Sequence, residues 1–261
     1  MSELQDAGWR VKKSILEISK SKNTPHVSSS LSVSDILVAL FFPRVKSPRR
    51  EVYLSKGHAA LALYATLREF DYISEEDLSC YSENGSIYEG HVNSKIPGVP
   101  LSTGSLGHAL AFACGRALAD SLVASEVQHW VVLSDGELDE GSNWESLLLV
   151  AHLGLSNLNI VIDRNGLQSL KETEKTLRLE PLAEKLSAFN WKIREANGHD
   201  LSKLRLELDA ASDNIQPTCI VANTAKGYPL ADMMDEGVRF HYKPATEDHI
   251  QRFDKMHPYE V

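Results

Sequence analysis

The strongest constraint on the fold is a pair of polar residues thirty positions apart, Asp135 and Asn165, each closing an apolar run. Asp135 follows Val131-Val132-Leu133-Ser134 and precedes Gly136, and Asn165 follows Ile160-Val161-Ile162-Asp163-Arg164. Between them, Trp144, Leu147, Leu148, Ala151 and Leu155 recur at helical intervals within Glu140 to Leu155. The segment therefore predicts strand, helix, strand, with a right-handed crossover between parallel strands. That unit brings both polar side chains to one sheet edge, the carboxyl end of the strands, where open α/β sheets bind ligands. A carboxylate beside an amide carbonyl is a hard oxygen pair suited to Mg2+, an ion that keeps positions open for phosphate oxygens. Gly136 allows a tight turn and close approach of phosphate to the backbone. The loop after Asn165 must curl back around the ion, which points to the Leu167 carbonyl as a third protein ligand. An ordinary Asp-Gly turn with an unrelated Asn is the competing reading, since such turns are common.

Elsewhere the chain alternates. A helix is predicted over about Glu3 to Ser21, then a loop with His26, then a helix over about Val33 to Phe42 capped by Ser32 or Ser34. A short strand at Val52 to Leu54 leads into a helix started by Gly57 and ending near Phe70. Asp71 to Pro100 reads as polar, aperiodic and rich in turn formers, a long loop of the functional kind. Gly104 to Gly107 opens an apolar helix to about Leu122. After the crossover come an irregular stretch (Gly166 to Thr176), a helix (Leu182 to Phe189), a strand (Lys192 to Glu195), a helix (Leu201 to Ala211), a strand (Pro217 to Ala222) and a short helix (Thr246 to Lys255). This is the pattern of an α/β protein with a doubly wound, mostly parallel sheet flanked by helices. No repeat or interdomain linker interrupts it, so residues 1–261 are expected to form a single domain.

Composition narrows the partners. A formal net charge of -9 disfavours nucleic acid and anionic membrane, which reward basic patches. The local basic cluster Arg44, Lys46, Arg49, Arg50 reads as a solvated loop. No run is apolar for the length of a membrane span, and Met1 to Lys20 reads as an amphipathic charged helix rather than a signal peptide. Cys80, Cys114 and Cys219 lack metal-ligand spacing and fit a reducing, cytoplasmic setting without disulfides. His26, His58, His91, His108 and His241 all fall in predicted loops or at helix starts, the places that line clefts. A lone loop histidine is more often solvated than catalytic, and composition alone does not make these five converge.

Several segments, in chain order, carry a resemblance to a known family. They are Pro25-His26 before Ser28-Ser29-Ser30-Leu31-Ser32, then Leu54-Ser55-Lys56-Gly57-His58-Ala59, Glu89-Gly90-His91 and Ser102-Thr103-Gly104-Ser105-Leu106-Gly107-His108. Asp135-Gly136-Glu137-Leu138-Asp139-Glu140-Gly141, Asn197-Gly198-His199-Asp200 and Thr224-Ala225-Lys226-Gly227 ahead of His241 complete the series. Together they resemble the amino-terminal half of transketolase. The Asp135 turn resembles the thiamine diphosphate motif, with Ser134 replacing its first glycine.

The resemblance implies a thiamine diphosphate-binding fold and a set of roles. Mg2+ would lie on Asp135, Asn165 and Leu167, the diphosphate near Gly136, His58 and His241, and Glu137 would belong to the cofactor-binding set. Gly104, Ser105 and Leu106 would approach the aminopyrimidine ring, and His26 and His91 would face the substrate and the reacting carbon. Glu140 has two readings: a first-turn acid favoured by the helix dipole, or, by resemblance, a carboxylate at a subunit interface linking cofactor sites. His108 stands where many relatives have Gln, and its role stays open. His199 reads as part of a turn, with Asp200 capping the next helix.

In this family a glutamate from a pyrimidine-binding domain activates the cofactor, which serves as electron sink for a two-carbon fragment. The chain leaves no room for that domain after His241. It is expected to be the amino-terminal, diphosphate-binding subunit of a split transketolase, completed by a carboxy-terminal subunit in an α2β2 assembly and acting on sugars or sugar phosphates. The alternatives are the α subunit of a 2-oxo acid dehydrogenase and a non-catalytic relative. The donor, the acceptor and the pathway are not legible in this half.

Overall fold

Side chains alternate along each strand, and here both faces must be buried, because successive residues belong to two separate apolar cores. The protein is described from a computed structural model covering residues 2–42 and 49–256. Its strands are β1 (Arg50–Leu54), β2 (Gln128–Ser134), β3 (Leu158–Arg164), β4 (Lys192–Asn197) and β5 (Thr218–Asn223). All pair in parallel, in the order β1-β2-β3-β5-β4. Trp130, Val132, Val161, Ile220 and Ala222 join one core, and Val131, Leu133, Ile160, Ile162 and Cys219 join the other.

The helices, in chain order, are α1 (Glu3–Ser21), α2 (Val27–Phe41), α3 (Ala60–Glu69), α4 (Glu75–Ser79), α5 (Ala109–Leu122), α6 (Gly141–Leu153), α7 (Thr173–Thr176), α8 (Leu182–Ala188), α9 (Leu201–Ser212), α10 (Ala231–Asp235) and α11 (Glu247–Met256). Residues of α1, α2, α3, α9 and α11 fill the first core, and residues of α5, α6 and α8 the second. The sheet is thus wound on both faces, as the alternation predicts. Asp135 and Asn165 leave the ends of the neighbouring strands β2 and β3, whose register pairs Ser134 with Asp163.

Four expectations need correction. Helix α2 begins at Val27, not near Val33, so Ser32 and Ser34 lie within it and cap nothing. Residues Ser28, Ser29, Ser30, Ser32 and Ser34 are all buried. The short hydroxyls of Ser28, Ser29, Ser32 and Ser34 bond neighbouring groups inside the protein, and this outweighs the weak helix propensity of serine. The second correction concerns Asp71 to Pro100, which contains α4 and is packed down by buried Ile73, Leu78, Tyr81, Tyr88, Val92, Ile96 and Val99. These anchors are spaced without period, which hides them from a periodicity argument.

Helix α5 starts only at Ala109, and Gly104 to His108 form a turn ahead of it. Finally, Arg50 is not part of a solvated loop. It lies on β1 with its side chain 7% exposed, bonds Asp209 at 3.2 Å, and stacks over Trp130 with 5.3 Å to the ring centroid. Arg49 is exposed as expected, and Arg44 and Lys46 lie outside the described residues. Cys80, Cys114 and Cys219 are free thiols. No helix among the described residues is long and apolar enough to cross a membrane.

Candidate active site

Three imidazoles meet at the carboxyl edge of the sheet. His58 sits in a 3-10 turn (Gly57–Ala59) directly after β1, and His241 in a second (Arg239–His241). His26 precedes α2 in left-handed backbone, φ 67°. The His26 ring centroid is 5.4 Å from that of His58 and 4.6 Å from that of His241, and the latter two are 5.5 Å apart. The backbone enforces this meeting. The His26 amide donates to the His241 carbonyl at 3.0 Å, and the Ser29 hydroxyl lies 3.2 Å from His241 Nδ1. Gly57 is needed for the approach of the β1 loop, since a Cβ there would meet the Thr103 carbonyl at 2.6 Å.

All three rings are held neutral near pH 7. Burial, then the charges of His91 and Lys226, pushes His26 down to about 4. Burial, then Lys226, pushes His241 down to about 3. His58 lies well below its usual value through burial and the neighbouring Lys56 charge. His26 Nδ1 is buried and has no hydrogen-bond partner among the described residues, an arrangement a native protein rarely leaves unfilled unless a ligand completes it.

Beneath the histidines lies a buried charged layer. Asp163, on β3, pairs with Lys56 and accepts hydrogen bonds from Ser32 and Thr224. Burial alone would raise its carboxyl, but Lys56 and these donors hold it below the usual range. Lys226 follows β5 and is buried. Its ammonium has no ion-pair or hydrogen-bond partner among the described residues, and burial, then the Lys56 charge, pushes it down to about 8. A desolvated cation of this kind seeks an anion.

The Asp135 carboxylate is buried at the tip of β2. It accepts from the Gly136 amide at 2.8 Å, the Gly166 amide at 2.6 Å and Arg164 Nη1 at 2.9 Å. Burial and the nearby Asp163 charge raise its carboxyl despite Arg164, so a further cation there would be favoured. Asn165 Oδ1 accepts from the Leu167 amide at 3.1 Å, and Thr173 N donates to the Gly166 carbonyl, so the loop does curl back. No group of three or more His, Cys, Asp or Glu side chains among the described residues could hold a metal. The predicted set is not such a group: one carboxylate, one amide oxygen and one main-chain carbonyl are hard oxygen donors that leave positions for phosphate. By donor type these residues suit Mg2+ together with a diphosphate.

The other predicted residues are placed as follows. His91 is exposed, and its ring lies against Gly104, where a Cβ would be 3.2 Å from His91 Cδ2. Ser105 and Leu106 are on the turn before α5, and His108 is exposed at the start of that helix. Glu137 is fully buried and accepts from Ser55, the Gly107 amide (2.9 Å) and the Ser134 amide (3.3 Å). Its side chain therefore braces three loops against one another. Glu140 is exposed at the N-cap of α6 without a capping bond, against Gly107, where a Cβ would be 2.7 Å from Glu140 Cβ. Asp200 caps α9 as expected, through Lys203 N at 3.1 Å.

Sequence reasoning gave no role to Lys56, Asp163, Arg164 or Lys226. The available signal was a charge inside or beside an otherwise apolar strand run, which must find a partner once both faces of the sheet are buried.

The fold is that of thiamine diphosphate-binding proteins. The structure superposes on transketolase from Campylobacter jejuni with TM-score 0.86 at 23% identity, covering 97% of this chain and 42% of that one. It superposes on a transketolase variant from Pichia stipitis with TM-score 0.88 at 26% identity, covering 98% and 41%.

Residues 15–260 match the family described as transketolase, thiamine diphosphate binding domain, and the chain belongs to the transketolase family. It is 34% identical over 261 residues to an apulose-4-phosphate transketolase subunit of Actinobacillus succinogenes, covering 95% of this chain and 94% of that one. It is 32% identical to 6-deoxy-6-sulfo-D-fructose transketolase subunit SqwG of a Clostridium species, covering 86% of each. Against transketolase-like protein 2 of Bos taurus it is 33% identical but spans only 42% of that chain.

Proposed function

We propose that this chain is the diphosphate-binding subunit of a two-chain transketolase, transferring a two-carbon ketol unit from a ketose to an aldehyde when a carboxy-terminal subunit is present. The observation that carries this reading is Lys226, a buried lysine whose ammonium makes no ion pair or hydrogen bond among the described residues, set beside three imidazoles kept neutral. An anionic ligand at this strand edge satisfies the lysine, and neutral histidines can donate hydrogen bonds to it or relay protons without repelling one another.

In this reading residues 1–261 form one diphosphate-binding domain. Asp135, Asn165 and the Leu167 carbonyl hold Mg2+, Gly136, His58, His241 and Lys226 surround the diphosphate, and Glu137 serves the cofactor from behind by bracing the loops that line its site. Gly104, Ser105 and Leu106 approach the aminopyrimidine ring. Thiamine diphosphate, when bound, supplies the electron sink for the two-carbon fragment. His26, through its unpartnered Nδ1, and His91 hydrogen-bond the sugar and move protons at its hydroxyls. The partner subunit supplies the glutamate that activates the cofactor.

Support for assembly comes from exposed apolar side chains on α5 and α6, namely Phe112, Leu148, Leu149 and Leu153, and from the exposed Glu140 at the start of α6. An α2β2 arrangement covers such surfaces. Two relatives are named for sugars bearing phosphate or sulfo groups, which favours an anionic sugar as substrate. Free thiols fit a cytoplasmic setting. The decisive experiment is reconstitution: the purified chain alone should give no ketol transfer, and the chain mixed with its carboxy-terminal partner should. Turnover by this chain alone would refute the split-site reading.

A further inference from the structure

One strand outward from the site, β4 ends at Asn197, and the next turn sets His199 against the loop that follows β5. The imidazole is buried, with both nitrogens engaged. Nε2 accepts from the Ala225 amide at 2.9 Å, so the ring proton resides on Nδ1, which donates to Asp35 at 2.9 Å. Asp35, fully buried on α2, also pairs with Lys12 of α1. Burial opposes the charge on Asp35, but Lys12 and His199 together hold its carboxyl below the usual range. Tyr228 stacks flat on the imidazole, with ring centroids 3.8 Å apart and planes 15° apart. One tautomer and one orientation are thereby fixed from the edge and the face of the ring.

What this ring holds is the residue before Lys226. The lysine's ammonium is tied to nothing among the described residues, so its position depends on the backbone that presents it. That backbone is pinned on both sides. The Thr224 hydroxyl bonds Asp163, the Thr224 amide donates to the Arg164 carbonyl at 3.1 Å, and the Gly227 amide donates to the Ser28 carbonyl at 3.1 Å. These three ties run to elements that already build the site. The fourth, from Ala225, runs through His199 and Asp35 to Lys12, and so to α1 on the outer layer.

We infer that His199, oriented by Asp35 and Lys12, is a positioning residue that sets the Lys226 ammonium for the diphosphate. The inference rests on the reading that this strand edge binds a diphosphate. A brace that served stability alone would change the melting temperature and leave anion affinity untouched. The test uses the full chain and calorimetric titration with inorganic pyrophosphate and Mg2+, comparing wild type, His199→Ala, His199→Gln, Lys226→Met and the His199→Ala/Lys226→Met double variant. His199→Ala should weaken pyrophosphate about tenfold, the effect of one misplaced charge-assisted hydrogen bond. In His199→Gln the side-chain oxygen can accept from the Ala225 amide, and most of the affinity should return.

In the Lys226→Met background the His199 substitution should have no further effect, because the two act through one group. Exchange of the Ala225 amide should accelerate in His199→Ala and not in His199→Gln. Unchanged affinity in a folded His199→Ala variant, or a loss that persists in full without Lys226, would overturn the inference while leaving the diphosphate reading intact. Should His199→Ala fail to fold, wild-type exchange of the Ala225 amide in His199→Gln together with a tenfold loss of affinity would equally overturn it. Wild-type affinity in Lys226→Met would remove the diphosphate reading itself, and the inference with it.

Discussion

Single side chains decide the chemistry of this site, and two of them can be tested by charge. The ligand-free Lys226 loses its proton as pH rises through about 8, and the ammonium form is the one that attracts an anion. Affinity for pyrophosphate with Mg2+ should therefore be full below that pH and fall above it, and Lys226→Met should bind roughly ten to a hundred times more weakly with no inflection there. Titration calorimetry across pH 7 to pH 10 reads both effects. Asp135→Ala removes the single carboxylate of the predicted Mg2+ set and should abolish the Mg2+ dependence of cofactor binding; unchanged affinity would take Asp135 out of the site. The meeting of His26, His58 and His241 was legible only through the family resemblance, because each stands in a short motif that carries it. Lys56 and Asp163 were not, because they are 107 residues apart, and a lone charge in a sequence carries no mark of the partner that neutralises it.

Elements were read well where burial imposes a period and poorly where it does not. The strands sit close to expectation because both faces of the sheet are buried, leaving continuous apolar runs. Helix α2 was misplaced at its start because a serine run normally signals a cap. Here the Ser32 hydroxyl donates to Asp163 at 2.7 Å from within the helix. Ser32→Ala should cost about 1 to 3 kcal/mol in chemical denaturation by leaving a carboxylate oxygen less well satisfied. Lys56→Met leaves Asp163 uncompensated in the interior and should cost more, about 3 to 5 kcal/mol. If the two variants unfolded at the wild-type denaturant concentration, the buried layer would not hold α2 against β3 as described.

For the molecule as a whole, acid is the expected weakness. His26, His58 and His241 all lie below the ordinary value of 6.5 in the folded state. Above that pH neither state takes up protons at these rings. As pH falls from 6.5 towards about 4, the unfolded chain binds protons that the folded chain refuses, so stability is lost progressively over that window. Thermal melts against pH should show this decline, and His26→Gln should flatten it. Assembly belongs to this scale too. Leu149→Lys, on an exposed position of α6, should leave the melting temperature of the isolated chain nearly unchanged while abolishing activity of the reconstituted mixture. The parallel sheet also divides the labour of the protein. The helices that cradle His26 and Asp35 pack on one side, and the leucines turned outward on α6 belong to the other. A substitution on the outer wall of α6 therefore reaches the buried pair of Lys56 and Asp163 only through the thickness of the sheet, and docking strength can change there while that pair stays intact.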